Sequence, residues 1–289
     1  MVGISFSKSE GEACYIPFNG KLAKNELVEK LKPLFESSIA WNGHNIKYDI
    51  LVLQQIGITP KVIGFDTALA SYVLNAHSHR HGLDELSLQY FGKSKIPIKD
   101  LIGSGKKQLT MDQVPIEQVS TYACEDADYT FRLKELLSKQ IETRGLRELL
   151  FELEIPLVTV LTDLEERGIY VEKEMLSTFS TEIKGIIQAL EEEVHQLAGE
   201  PFKVNSPKQL SDILFTKMGI SPPKKIATGY STNAEVLEML KYHHPIAEKV
   251  LEYRKYEKLR STYIDALPLE INPKTNRIHC SFNQITAST

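Results

Sequence analysis

The chain has 289 residues, 42% hydrophobic and 25% charged, with a net charge of −4, the make-up of a soluble globular protein too long for one ordinary core at about 150 residues per domain. No run reaches the roughly 18 apolar residues of a membrane span, and the opening "MVGISFSKSEGEACY" lacks the basic start and apolar stretch of a secretion signal. Three cysteines without CxxC spacing build neither a disulfide framework nor a zinc site, so a cytoplasmic protein of two domains without redox chemistry is expected.

The first half alternates strand-like and helix-like segments. "MVGISFS" and "EACYIPF" read as a hairpin, "KNELVEKLKPLF" as an amphipathic helix and "SIAWNG" as a buried strand ending in Gly43. "NIKYDILVLQQIG" has helical spacing with a glycine stop, and "FDTALASYVLN" and "GLDELSLQYFG" follow as helices. A long helix is predicted from Ile116 to Arg144, opened by Pro115 and closed by Gly145. Such alternation indicates an α/β layer fold. Beyond Gly145 the pattern is mainly helical, from "LRELLFELEIPLVTVLTDLEERG" to "HPIAEKVLEYRKYEKLRSTYIDALP", with serine or threonine at two helix starts. "LEINPKTNRIHCSFNQ" closes the chain as two strand-like runs around an Asn-Pro turn. The predicted domains are 1–146 and 147–289, and both ends are expected to be cut, because a strand begins at the first residue and "ITAST" follows a hairpin without a stop.

Two constellations carry chemistry. Tyr122 and Asp126, in "TYACEDADYTFRLKELL", stand four apart and share one helix face, and Asn45 and Asp49 in "HNIKYD" repeat the spacing after a strand. Strand-to-helix junctions are where α/β proteins commonly place their sites. Carboxylates from two helices suit magnesium or manganese, and a phenol beside them can orient a water. The plainer alternatives are solvated acids at Glu125, Asp126 and Asp128, a half-buried aromatic at Tyr122 and a helix cap at Asn45. The second constellation is basic: from Lys203 to Tyr230 five lysines face a single Asp212, a local net of +4 that either follows a phosphate backbone or is a solvated surface.

"WNGHNIKYDILVL" and "YACEDADYTFRL" resemble the second and third motifs of the proofreading 3'-5' exonuclease domain of bacterial family A DNA polymerases. The likeness continues in order through "FDTALASYVLN", "LEIPLVTVLTDLEERGIYV", "NSPKQLSDILF", "STNAEVLEML", "LEYRKYEKLRSTYIDALP" and "INPKTNRIHCSFNQ", covering nearly the whole chain. It implies an RNase H-like α/β exonuclease fold, N-terminally truncated, followed by a mainly α-helical polymerase thumb. RNase D shares the short exonuclease motifs but has nothing like the thumb blocks.

By this resemblance Asp126 is a direct ligand of a catalytic metal, and Asp49 helps hold a second through water. The implied cofactors are two Mg2+ or Mn2+ ions that hydrolyse a terminal phosphodiester in line, with Tyr122 positioning the attacking water. Asn45 and Arg80 match positions that contact a single-stranded DNA 3' end. In the thumb, Lys203, Lys208, Lys224, Lys225, Arg254 and Lys258 are implied contacts to duplex phosphates, which position DNA without reading its sequence. The chain departs from the family at the first motif, an Asp-x-Glu on the opening strand, because no carboxylate precedes Glu10. Glu10 and Glu12 copy its spacing in a turn. With two ligands gone, Asp49 and Asp126 are expected to bind magnesium poorly, and the lost strand to leave an uncovered sheet edge. The expected molecule is a monomeric portion of a DNA-directed DNA polymerase and 3'-5' exonuclease, lacking palm and fingers and inactive alone. The alternative is a catalytically silent DNA-binding scaffold that docks with a separately supplied palm and fingers.

Overall fold

A computed structural model of the chain describes residues 1–221, 225–226 and 229–286, so Lys224 lies outside the described residues and Lys225 is described by its backbone alone. Two compact units divide it: Met1–Arg167 together with the chain from Ser281 onward, and Gly168–Cys280. By packing, residues 147–167 belong with the first unit, not with the second as the change of sequence pattern suggests.

The first unit opens with the predicted hairpin, β1 (Gly3–Ser9) antiparallel to β2 (Glu12–Pro17), with Gly11 in the positive-φ turn. Glu10 lies in that turn as expected, whereas Glu12 is already the first residue of β2. Helix α1 (Lys24–Phe35) buries Leu27, Leu31 and Phe35, a four-residue repeat that lays one apolar stripe inward. Strand β3 (Ala40–Gly43) is followed by α2 (Ile46–Gln54), and β3 pairs in parallel with β4 (Val62–Asp66). β3 is less buried than expected: Ala40 and Asn42 are exposed, and only Gly43 is fully covered. The run read as one helix, "FDTALASYVLN", is split. Phe65 and Asp66 end β4, and α3 (Thr67–Leu74) starts only after Asp66 caps it.

Helices α4 (Leu83–Phe91) and α5 (Ile98–Ile102) lead to the long α6 (Ile116–Thr143), which begins after Pro115 and ends before Gly145 as predicted. α6 packs on the hairpin, on β3, and on α3 and α4. A π-helical turn at Leu149–Glu154 then runs into α7 (Ile155–Arg167). Pro156 explains the widened turn, because its nitrogen cannot donate to the carbonyl four residues back. One core gathers Ile46, Ile50, Phe65, Leu69, Leu133, Leu137, Ile141 and Val158, and a second, under the hairpin, gathers Phe18, Leu27, Leu31, Phe35, Leu53 and Ile58.

The second unit is mainly helical. β5 (Ile169–Tyr170) precedes α8 (Lys173–Ala198), the short α9 (Pro207–Ser211) with a π-helical continuation Asp212–Lys217, the two-residue strands β6 (Lys225–Ile226) and β7 (Gly229–Tyr230), then α10 (Ala234–Leu240) and α11 (Pro245–Lys258). Ser206 caps α9 as expected, but α10 is capped by Asn233, not by the serine and threonine before it. The expected closing pair of strands is reduced to one antiparallel bridge, Asn272 with Arg277, across the Asn-Pro turn. Leu267–Glu270 is a 3-10 turn around Pro268, and β8 (Arg277–Ile278) pairs with β5 instead. Ile187, Val194, Leu210, Leu214, Val236, Leu237, Ile246 and Val250 form the core of this unit. Among the described residues no helix is long and apolar enough to cross a membrane.

Candidate nucleic-acid site and its buried lysine

In the first unit the chain turns from β3 into α2 through Asn45, whose φ of 58° is left-handed, a region asparagine tolerates better than most residues. Its side chain caps nothing. Capping comes from another strand: the carboxylate of Asp66, at the end of β4, accepts the amides of Asn45 at 3.2 Å and Ile46 at 2.7 Å, and those of Ala68 at 2.8 Å and Leu69 at 3.1 Å. One acid, 2% exposed, thus starts two helices. Burial pushes its carboxyl upward against the pull of these four amides.

Asp49 lies one turn along α2, flanking the buried stripe of Ile46, Ile50 and Leu53. Crowding by surrounding protein, then the negative charge of Asp66, pushes its carboxyl above the ordinary carboxylate range; Asp49 is nonetheless an exposed residue, and water tempers the shift. His44 stands just before the junction, its Nδ1 2.9 Å from the Thr67 hydroxyl. That hydroxyl donates to the Gly43 carbonyl at 3.2 Å, which leaves the Nδ1 proton of His44 directed at Thr67. Burial first, then the positive charge of Lys95, lowers His44 to about 4, so the ring is neutral at pH 7.

Next to these residues is a cavity of about 410 Å³, lined by His44, Asn45, Lys47, Asp66, His79 and Glu165 among others. Arg80 sits between His79 and His81 and is exposed, while His81 is buried and bonded to Ser71 at 2.9 Å. Lys47 forms a buried ion pair with Glu165 and donates to the Phe282 carbonyl at 2.6 Å, and Glu165 accepts the Phe282 amide at 2.7 Å.

On α6, Tyr122 and Asp126 meet as their spacing predicts: the phenol hydrogen bonds to Asp126, and burial, with that negative charge, pushes it well above its ordinary value. Asp126 is also in direct contact with the ammonium of Lys95, from the segment between α4 and α5. Lys95 lies 3.1 Å from Asp84 and 5.4 Å from the Tyr122 ring centre. Burial favours the neutral amine, but Asp126 and Asp84 outweigh it and hold the ammonium above its ordinary value. The neighbouring acids fasten other segments. Glu125 accepts the Ile96 amide at 2.8 Å, and Asp128 accepts the Gly11 amide of the hairpin turn at 2.6 Å and pairs with Arg132 at 2.7 Å.

These residues do not fit a divalent metal pair as they stand. Asp126 is engaged by an internal cation, and among the described residues no group of three or more His, Cys, Asp or Glu side chains could hold a metal. Sequence reading singled out Tyr122, Asp126, Asn45 and Asp49 but not Asp66 and Lys95, which draw partners from other elements of the unit.

In the second unit Lys203, Lys208 and Lys258 are exposed. Arg254 differs from them: its guanidinium is half-buried and donates to the carbonyl of Thr232, so it is engaged within the unit. Lys217, one of the five lysines of the basic stretch, is paired with Glu200.

Residues 1–142 match the family described as 3'-5' exonuclease, and residues 173–289 match DNA polymerase family A. Similar relatives are all DNA polymerase I: that of Pseudomonas aeruginosa is 40% identical over 302 residues, that of Chloroflexus aurantiacus 41% over 305, and that of Borreliella burgdorferi 37% over 293. The chain is thus similar to 3'-5' exonucleases over its first 142 residues and to family A DNA polymerases from residue 173 onward. All of it is covered by these alignments, yet it spans only about a third of each relative, 33%, 32% and 32%. Among solved structures, the POL domain of Pol1 from M. smegmatis, in complex with DNA primer-template and dNTP, shares the fold. Its TM-score is 0.74 at 24% identity, covering 95% of this chain and 44% of that one. An α/β exonuclease unit followed by a mainly helical polymerase unit is the architecture that the resemblance implied.

Proposed function

We propose that this chain is the DNA-holding portion of a bacterial DNA polymerase I, acting in the cytoplasm as a monomer in replication and repair. The observation that carries this reading is the succession, in one chain, of an exonuclease-family segment and a family A polymerase segment. In this reading Asn45 and Arg80, beside the cavity at the start of α2, receive a single-stranded 3' end, and Lys203, Lys208 and Lys258 follow the phosphates of a duplex. Lys224 and Lys225 extend the same basic stretch, and Arg254 contributes by shaping the unit through Thr232. Hydrolysis by two ions requires ligands beyond Asp49 and Asp126, so that activity is assigned to the polymerase whose exonuclease site is complete.

A second reading, a catalytically silent DNA-binding scaffold, is favoured by one specific observation, the hold of Lys95 on Asp126. One experiment tests both. The chain is titrated into a fluorescent primer-template duplex at low salt, and the labelled 3' end is then followed in magnesium. Saturable binding without trimming is expected. Failure to bind the duplex refutes the DNA-holding role, and trimming abolished by Asp126→Ala refutes the silent reading.

A further inference from the structure

The placement of Lys95 is costly. The residue is the buried lysine of the described chain, its side chain 1% exposed. An ammonium out of water is tolerated only when opposite charge and hydrogen-bond acceptors replace its hydration. Here the replacement comes from two elements: Asp84 from the first turn of α4, with its Oδ1 at 3.1 Å, and Asp126 from α6. The face of the Tyr122 ring supplies a further favourable surface. The backbone just beyond the lysine is pinned by the Ile96 amide donating to Glu125 at 2.8 Å, so the ammonium is aimed by its own chain segment.

We propose that the Lys95 ammonium is the resident cation of this site, joining Asp84 to Asp126 on the carboxylate that the family resemblance assigns to a divalent metal. A divalent ion could take Asp126 only by shedding tightly held water and leaving the buried ammonium to the largely exposed Asp84 alone. The pair of acids is therefore compensated from within the chain, and no chelator can remove the cation. Without Lys95 the two carboxylates would face each other uncompensated. The inference goes beyond DNA binding and does not depend on it, and its test contains no nucleic acid.

The full chain and the variants Asp126→Asn, Lys95→Met and Lys95→Met/Asp126→Asn are melted with and without manganese, and free manganese is followed by electron paramagnetic resonance. Wild type and Asp126→Asn are expected to leave the same amount of manganese free up to millimolar concentration. Lys95→Met should melt roughly 5–10 °C lower, the scale of a broken buried ion pair, and the second substitution should restore at least half of the loss by removing one of the facing charges. Manganese uptake by wild type that is lost in Asp126→Asn overturns the proposal, as does a Lys95→Met chain that melts with wild type or is not rescued by Asp126→Asn. If Lys95→Met does not fold, the manganese comparison between wild type and Asp126→Asn decides alone.

Discussion

Four backbone amides converge on the Asp66 carboxylate, two from the start of α2 and two from α3. The carboxylate is itself buried, so losing it orphans donors at two helix starts at once. Asp66→Ala is expected to cost about 2–4 kcal/mol in urea unfolding; a loss below about 1 kcal/mol would show that water takes over the amides. His44 sets a pH dependence. The unfolded ring takes its proton near pH 6.5, whereas the folded ring, buried and near Lys95, resists until about 4. Between those values the unfolded chain binds more protons, so this contribution is intact above pH 6.5 and is lost as the pH falls toward 4. His44→Asn should flatten the decline by on the order of 2 kcal/mol over that window, read from melts at successive pH values. The Tyr122 and Asp126 pair was legible because four-residue spacing is a local property of a helix. Asp66 and Lys95 were not, because an aspartate at a strand end and a lysine in a polar link look like surface residues until Asn45 and Ile46 come to meet the one and Asp84 and Asp126 the other.

Helix α6 shows why a helix crowds acids between apolar turns. Val119 is buried near its start and Leu133, Leu137 and Ile141 in its second half, and between them Glu125 and Asp126 both tie down the link at Lys95 and Ile96. Asp128 holds the hairpin turn through the Gly11 amide, and Arg132 joins Asp128 to Glu10 at 2.8 Å. Asp128→Ala should leave α6 in place while exchange of the Gly11 amide rises at least about tenfold, in line with about 1–3 kcal/mol for a lost charged acceptor. Unchanged exchange at Gly11 would mean that the turn closes without help. The limits of α6 were readable from Pro115 and Gly145, since both act through their own backbone. Strand β4 was missed because its last two residues, Phe65 and Asp66, continue the apolar spacing of α3, and only the capping bonds break that run. The closing strand pair stops at the Asn272 and Arg277 bridge for a related reason: Ile278 finds its partner in Ile169, more than a hundred residues back. Gly168 sits at that junction with φ of 68°, where an added Cβ would lie 2.9 Å from the Ile278 carbonyl oxygen. Gly168→Ala should therefore weaken the β5 and β8 pairing at a cost of about 1–3 kcal/mol, visible as faster amide exchange there.

At the scale of the whole chain, the polypeptide leaves the first unit at Arg167 and returns to it at Ser281. Both ends of this excursion are held inside the first unit by one lysine, since Lys47 pairs with Glu165 just before the exit and bonds to Phe282 just after the return. The second unit is thus an insertion by sequence order with a core of its own, and it carries the basic stretch that offsets an acidic total of −4. A net negative protein gains little from general attraction to DNA, so binding must come from a few placed cations, and its salt dependence counts them. Lys203, Lys208 and Lys258 are exposed, whereas Lys217 already faces Glu200 and Arg254 already faces Thr232. Replacing the three exposed lysines together by glutamine should weaken duplex binding alike for all sequences and lower the slope of log affinity against log salt by about 2–3, close to one per lost phosphate contact. Replacing Lys217 alone should leave that slope unchanged. If the slope of the triple variant equals that of the wild type, the duplex does not run along this stretch, and the acidic balance of the chain describes its surface better than the lysines do.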